Sequence, residues 1–378
     1  MNKSIFITLG IIGVIIIIIY IVIYFYIVKL LKFTKNNILS INYAATNNSG
    51  CRDILNGDNN DNCKYNDLSL DIPQFSENLF KPFNIDNSRD FYIMSYYCAN
   101  LVGKLSYVLF NEDLGIPNIS PKKDIKDLDI INSYYYNNKI ICLFLSTKIG
   151  ILPKRFFVLF RGTKNLKEWE KDFDYLQGEY INTYPNIHPE ISNQIKFDFT
   201  PNQMNNMYKL NDILLRGDYS DILIHRGFMD IYSTFRDKLI NDILLQDTTE
   251  NMYIYISGHS LGAALSSILS FDLGIMNNKF NICNITIASP RIGNINFSLA
   301  FNSIKNLSYL QWNNLCDIIP SLPISVMPNI NNPYNPYFYQ SLGNRENIII
   351  FNNNLKSIGN NHQLPGYIEY IKSLISSI

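Results

Sequence analysis

The sequence predicts an α/β fold, a mostly parallel sheet with helices on both faces, and three observations predict it. Strand-like runs rich in β-branched and aromatic residues recur at 139–147, 155–160, 252–257, 281–288 and 307–315. Helix-compatible stretches intervene, notably 228–245 and 261–276. A Gly-x-Ser-x-Gly turn joins one of those strand-like runs to the helical stretch after it. Parallel strands need a crossover, which the intervening helices supply. Functional groups in such a sheet gather on loops at the carboxyl ends of the strands.

The fold is expected to be preceded by an N-terminal transmembrane helix. Residues 5–28 carry no charged side chain and include Ile15-Ile16-Ile17-Ile18-Ile19. About 20 apolar residues suffice to cross a bilayer, whereas the apolar part of a signal peptide is roughly 7–15. The run exits into Lys29-Leu30-Leu31-Lys32 rather than into small residues, so a retained single-pass anchor over 1–32 is expected. Lys29, Lys32 and Lys35 outweigh Lys3 and the amino terminus, which places the remainder on the cytosolic side of the membrane. Residues 33–84 are dominated by Asn, Asp and Ser, and Asn56-Gly57-Asp58-Asn59-Asn60 has nothing apolar to bury, so a loose tether is expected there. Residues 85–378 then form the folded domain.

The chemistry centres on Gly258-His259-Ser260-Leu261-Gly262, between Met252-Tyr253-Ile254-Tyr255-Ile256 and Ala263-Ala264-Leu265-Ser266-Ser267. A strand, this pentapeptide and a helix together make the nucleophile elbow of an α/β-hydrolase fold. The serine must stand on a tight turn to project above the sheet, and glycines on either side let strand and helix approach. A serine hydroxyl needs a histidine to take its proton and a carboxylate to hold that histidine's tautomer, in the chain order Ser, acid, His. The histidine after Ser260 is His362, and the acids between them are Asp272, Asp317 and Glu346. Asp272 falls on the helix after the elbow, and Glu346 in a polar, turn-like run. Asp317 follows a strand-like run, where a loop leaves the sheet's carboxyl edge. Ser260, Asp317 and His362 are therefore the expected catalytic residues, with the Leu261 N–H as an oxyanion donor. His259 should point away from the reacting centre, His225 should be structural, and His188 should be at the surface.

Several blocks, in order, resemble the class 3 lipase family, the fungal triacylglycerol lipases and their plant and animal relatives. They are Phe160-Arg161-Gly162-Thr163 with Trp169 and Asp172, Ile224-His225-Arg226-Gly227-Phe228, Ala288-Ser289-Pro290-Arg291-Ile292-Gly293-Asn294, Asp317-Ile318-Ile319-Pro320, and His362 with Tyr367. Residues 91–103 look like the family's first helix, so the resemblance covers roughly 85–378. It implies that Thr163 completes the oxyanion hole, where each donor is worth about 3–4 kcal/mol. It also implies a lid just after Thr163. Leu166, Trp169 and Phe173 there share one face of a helix whose other positions are mostly charged. Arg161 and Arg291 are expected to be structural.

The remaining features narrow the function classes. Lys+Arg and Asp+Glu are equal at 32 each, so no electrostatic case exists for a nucleic-acid partner. No zinc spacing, phosphate loop or dinucleotide fingerprint appears, and neither a metal nor another cofactor is expected. No obligate protein partner is evident. Cys98, Cys142, Cys283 and Cys316 read as buried thiols, while Cys51 and Cys63 flank the tether. The expected activity is that of a membrane-anchored serine ester hydrolase on acyl lipids, triacylglycerol or diacylglycerol first. Phospholipase A1 or a short-chain esterase is the near alternative, and a lipid-binding pseudoenzyme the alternative of another class.

Overall fold

The computed structural model describes residues 70–104, 125–163, 174–180, 222–246, 251–276, 280–329, 336–343, 346–349 and 361–377. Its centre is a seven-stranded sheet of β1 (Leu128–Tyr136), β2 (Lys139–Thr147), β3 (Arg155–Phe160), β6 (Met252–His259), β7 (Phe280–Ile287), β8 (Leu307–Asn314) and β11 (Glu346–Ile349), in that spatial order. The β1/β2 and β2/β3 pairs are antiparallel. All the others, from β3/β6 to β8/β11, are parallel. Two small antiparallel pairs lie apart from it, β4 (Gln177–Glu179) with β5 (Leu223–His225), and β9 (Val326–Met327) with β10 (Tyr337–Phe338).

Successive side chains of a strand point to opposite faces, and the central strands are apolar on both. On β3, Phe156, Val158 and Phe160 join one core while Phe157 and Leu159 join the other. The first core packs under α2 (Arg226–Ser233), α3 (Arg236–Leu244), α4 (Leu261–Met276) and α5 (Ile295–Asn302); the second packs under α1 (Ser88–Lys104) and α6 (Leu364–Ser377). Helix α4 is buried almost all round, as its apolar sequence requires. Its Ser266 and Ser267 hydroxyls donate to the Ala263 carbonyl at 2.8 and 3.0 Å, so neither is left without a partner.

Asp272, read only as a helix residue, turns out to join three segments. Its carboxylate accepts from the Tyr180 hydroxyl, from the Tyr232 hydroxyl at 2.7 Å and from Arg236 Nε at 2.7 Å. Both ions of the Arg236–Asp272 pair are buried. Paired carboxylate and guanidinium are drawn from segments far apart in sequence, so no local pattern announces them.

The structure departs from the sequence expectations at several elements. The stretch 228–245 is two helices, because Phe235 turns into the core against Tyr134, Phe160 and Tyr232. Strand β1 was not expected; it hairpins to β2 through Asn137 and Asn138, both at positive φ (50° and 61°). Two such residues make the turn that matches strand twist. Glu346 opens β11, opposite Gln311, instead of lying in a turn. Residues 70–84, assigned to the tether, pack onto the domain: Leu79 is buried, and Phe75 and Phe80 lie against Tyr253. Cys98, Cys142 and Cys283 are buried and burial pushes their thiols up, but Cys316 is only half-buried. The expected anchor over 5–28, the lid residues Leu166, Trp169 and Phe173, and His188 lie outside the described residues. Among the described residues no helix is long and apolar enough to cross a membrane.

Removing the carboxylate of Asp272 takes from the buried Arg236 guanidinium its buried partner and leaves it the exposed Asp237 at 3.6 Å; breaking a buried pair typically costs about 3–5 kcal/mol. Asp272→Ala is therefore expected to lower stability by that amount in urea unfolding. A loss under about 1 kcal/mol, the scale of an exposed ion pair, would show that the cluster is not structural.

Candidate active site

Strand β6 runs into the elbow with Ser260 at φ 59°, in the left-handed region that a side chain with a Cβ rarely occupies. The neighbouring glycines are what make room. A Cβ on Gly258 would stand 2.2 Å from the Gly262 carbonyl oxygen, and one on Gly262 would stand 2.4 Å from that of Arg161. Strand β6, the first turn of α4 and the end of β3 thus meet at van der Waals limits. The Ser260 N–H donates to Ile287 O at 3.0 Å, and the Ser260 carbonyl accepts from Ala263 N at 2.9 Å.

The structure brings Ser260, His362 and Asp317 together. His362 Nε2 is 2.8 Å from Ser260 Oγ, and His362 Nδ1 is 2.7 Å from Asp317 Oδ2. All three side chains are buried, from 3% exposed at Asp317 to 6% at Ser260. With Nδ1–H donating to the carboxylate, Nε2 is left bare to accept the serine proton. Asp317 stands in the loop after β8, and His362 just before α6. Asp272 is held in the separate cluster described above.

Two further donors hold the carboxylate. Ile319 N–H donates to Asp317 Oδ1 at 2.9 Å, and the Tyr367 hydroxyl donates to Oδ2 at 2.8 Å while accepting from Asn314 N–H at 2.9 Å. Burial and the Asp317 charge hold the Tyr367 hydroxyl well above its ordinary pKa, so it stays a donor. Sequence reading placed Tyr367 in the histidine block but did not give it this contact. The available signal was its place one helical turn and a little after His362.

The expected oxyanion donors belong to the start of α4 and the segment after β3. Leu261 is the first residue of α4, whose opening amides have no carbonyl one turn back and whose dipole favours negative charge. A Cβ on Gly162 would lie 3.5 Å from Ser260 Cβ, which seats the 161–163 segment against the elbow, with half-buried Thr163 next in the chain. Arg161 is fully buried beneath it, donating through Nε to Ile140 O and through Nη1 to Gly162 O. Arg291 Nη1 donates to Ser321 O at 2.7 Å and Pro323 O at 2.9 Å, bracing the loop beyond Asp317. His225 caps α2, accepting from Phe228 N–H at 3.4 Å, with its ring stacked on Phe228. His259 departs from expectation: its ring faces His362, with Nε2 2.9 Å from the His362 carbonyl oxygen. Among the described residues no cluster of His, Cys, Asp and Glu could hold a metal ion.

A mostly parallel sheet with a serine elbow at the carboxyl end of a central strand defines an α/β-hydrolase fold. Residues 157–327 match the family model described as Lipase (class 3). That stretch, with its elbow, acid loop and Arg-Gly-Thr segment, is thus similar to the class 3 lipase family. Relatives of known description include Phospholipase A1-II 3 of Oryza sativa subsp. japonica, 36% identical over 123 residues, which are 26% of this chain and 29% of the relative. Phospholipase A1-IIgamma of Arabidopsis thaliana is 31% identical over 140 residues, 30% of this chain and 33% of the relative. The matches thus span about a third or less of those relatives' length. Solved structures with similarity include the Rhizomucor miehei lipase propeptide complex, at a TM-score of 0.41 and 19% identity, covering 63% of this chain and 65% of that one. Yarrowia lipolytica LIP2 lipase gives 0.42 and 16%, covering 72% and 82%.

Asp317→Asn would keep the shape of the site but favour the wrong imidazole tautomer. Labelling of Ser260 by a fluorophosphonate is expected to slow by about 10⁴-fold, with urea stability nearly unchanged. Labelling at the unsubstituted rate would remove Asp317 from the relay.

Proposed function

We propose that the chain is a serine ester hydrolase of acyl lipids, working through Ser260, His362 and Asp317. The connected hydrogen bonds from Ser260 Oγ through His362 to Asp317 carry this reading. His362 Nε2 takes the serine proton as Oγ attacks the ester carbonyl, and the negative charge develops on the carbonyl oxygen. Leu261 N–H and Thr163 receive that charge, at about 3–4 kcal/mol per donor. His362 then gives its proton to the leaving alcohol, and Asp317 stabilises the intervening imidazolium. Water activated by the same histidine releases the acyl group and restores the serine.

The surroundings of the acid favour a lipid substrate. From residue 318 to 343 the chain carries no charged side chain, although 17% of the whole is charged. Within it Ile318, Ile324, Val326 and Phe338 are 43–54% exposed, and Val326 pairs directly across from Phe338. Uncharged, partly exposed apolar and aromatic side chains suit contact with a lipid surface. Triacylglycerol or diacylglycerol was the first expectation from sequence. The names of the plant relatives, each a phospholipase A1, move a phospholipid to the front, with triacylglycerol next. Residues 5–28 would keep the enzyme at a membrane as a single-pass anchor with the hydrolase domain on the cytosolic side.

Fatty-acid release from phosphatidylcholine vesicles, emulsified triacylglycerol and a soluble short-chain ester tests this. Ser260→Ala is expected to abolish release from all three, and turnover surviving in that variant sinks the proposal. Val326→Asp with Phe338→Asp should reduce release from vesicles or emulsion by roughly tenfold or more, on the scale of one buried aliphatic side chain, and spare the soluble ester. Equal loss on all three substrates would show that the ribbon serves the fold rather than the lipid contact.

A further inference from the structure

We propose that His259, the residue before the nucleophile, is a positioning residue for His362: its Nε2–H holds the main-chain carbonyl of the base and keeps the imidazole aligned on Ser260. The proposal rests on the hydrolase reading above and adds a residue to it. The distance from His259 Nε2 to His362 O is 2.9 Å. A carbonyl oxygen can only accept, so the proton must be on Nε2 and Nδ1 must be bare. The tautomer of His259 is thereby set by the backbone of the base.

The ring is held on several sides. Its centroid is 4.7 Å from that of His362, and 6.4 Å from that of Tyr367 in an edge-on arrangement. On the Gly162 side, a Cβ there would come within 3.3 Å of His259 Nδ1 and 3.2 Å of the His259 carbonyl oxygen. His259 therefore lies between the oxyanion segment and the base. A larger residue at 162 would push on this ring before it reached Ser260. Elsewhere in the base loop, Asn314 Nδ2 donates to Asn361 O and Asn361 Nδ2 donates to Cys316 O, both at 3.0 Å. Those two bonds tie residue 361 to the acid loop, while His259 takes hold of residue 362 itself.

Among the described residues, the titratable groups facing His259 are His362 and Tyr367. Burial, and then the charge on His362 when protonated, hold the His259 pKa down at about 3. His259 thus stays neutral across the working range of a hydrolase. Its ring can grip the base without setting a second positive charge beside the imidazolium that forms during turnover. A lysine or arginine here could supply the same hydrogen bond only at the cost of that repulsion.

Two measurements on the full chain test the proposal separately from the hydrolase reading. In ¹⁵N-histidine NMR, His259 should appear as the neutral Nε2–H tautomer from pH 5 to 8, whereas an ordinary histidine protonates near 6.5 (roughly). An Nδ1–H tautomer, or protonation in the ordinary range, overturns the proposal. In kinetics, His259→Phe should lower kcat roughly 10–100-fold with KM within about twofold, and His259→Gln, which keeps an N–H donor, should recover most of the loss. A Phe variant with unaltered kcat, or a folded Gln variant no better than Phe, also overturns it. If the Phe variant does not fold, the NMR result and the Gln variant decide. The hydrogen bond without Ser260-dependent turnover would mean that the hydrolase reading had failed; turnover without the bond would mean that this one had.

Discussion

Ser260 sits at φ 59°, where its own backbone crowds the Cβ, and the rest of the site depends on the chain being able to hold it there. It can do so because Gly258 meets Gly262, and Gly262 meets the carbonyl of Arg161, at separations no Cβ would allow. One constraint then has three consequences. The serine stands at the carboxyl edge of the sheet with its oxygen 2.8 Å from His362 Nε2, α4 begins at the next residue, and the Arg161–Thr163 segment is drawn in beside them. Ser260 and the Arg161–Thr163 segment are placed by the same close contact, so neither can shift without the other.

His362 and Asp317 reach this point from loops, which are intrinsically less rigid, and the structure compensates with hydrogen bonds to the main chain. Asp317 accepts from Ile319 N–H, His362 and Tyr367, and Tyr367 is itself held by Asn314 N–H. Asn361 links the base loop to Cys316. His259 then connects the base loop to the elbow. Loop positions are thus referred back to β6 and β8, two parallel strands of the main sheet. The buried Arg236–Asp272 pair ties α3 to the later turns of α4.

Much of this was legible in the sequence, and what was not has physical reasons. The central strands and α4 declare themselves through long apolar runs, and α4 runs from 261 to 276 as the small-residue pattern indicates. Chain order and the scarcity of histidines pointed to His362, and its contacts with Ser260 and Asp317 are in the structure, although Glu346 was set aside as a turn residue when it in fact opens β11. Strand β1 was missed because its outer face is polar and its Asn137-Asn138 turn lacks glycine. The break at Phe235 was missed because the residue is a good core filler whose burial, not its helix propensity, decides the backbone. Contacts made across long sequence separations, such as those of Tyr367 with Asp317 and Tyr180 with Asp272, leave no local pattern to read.

The account rests on a serine poised between a base and a preformed oxyanion site. The most direct measurement is the crystal structure of the protein with a phosphonate covalently bound to Ser260, since the phosphoryl oxygen occupies the place of the oxyanion. The account predicts a bond from Ser260 Oγ to phosphorus, with that oxygen within hydrogen-bond distance of Leu261 N and of Thr163. A phosphoryl oxygen turned away from both, or a serine that stays unmodified, would contradict it.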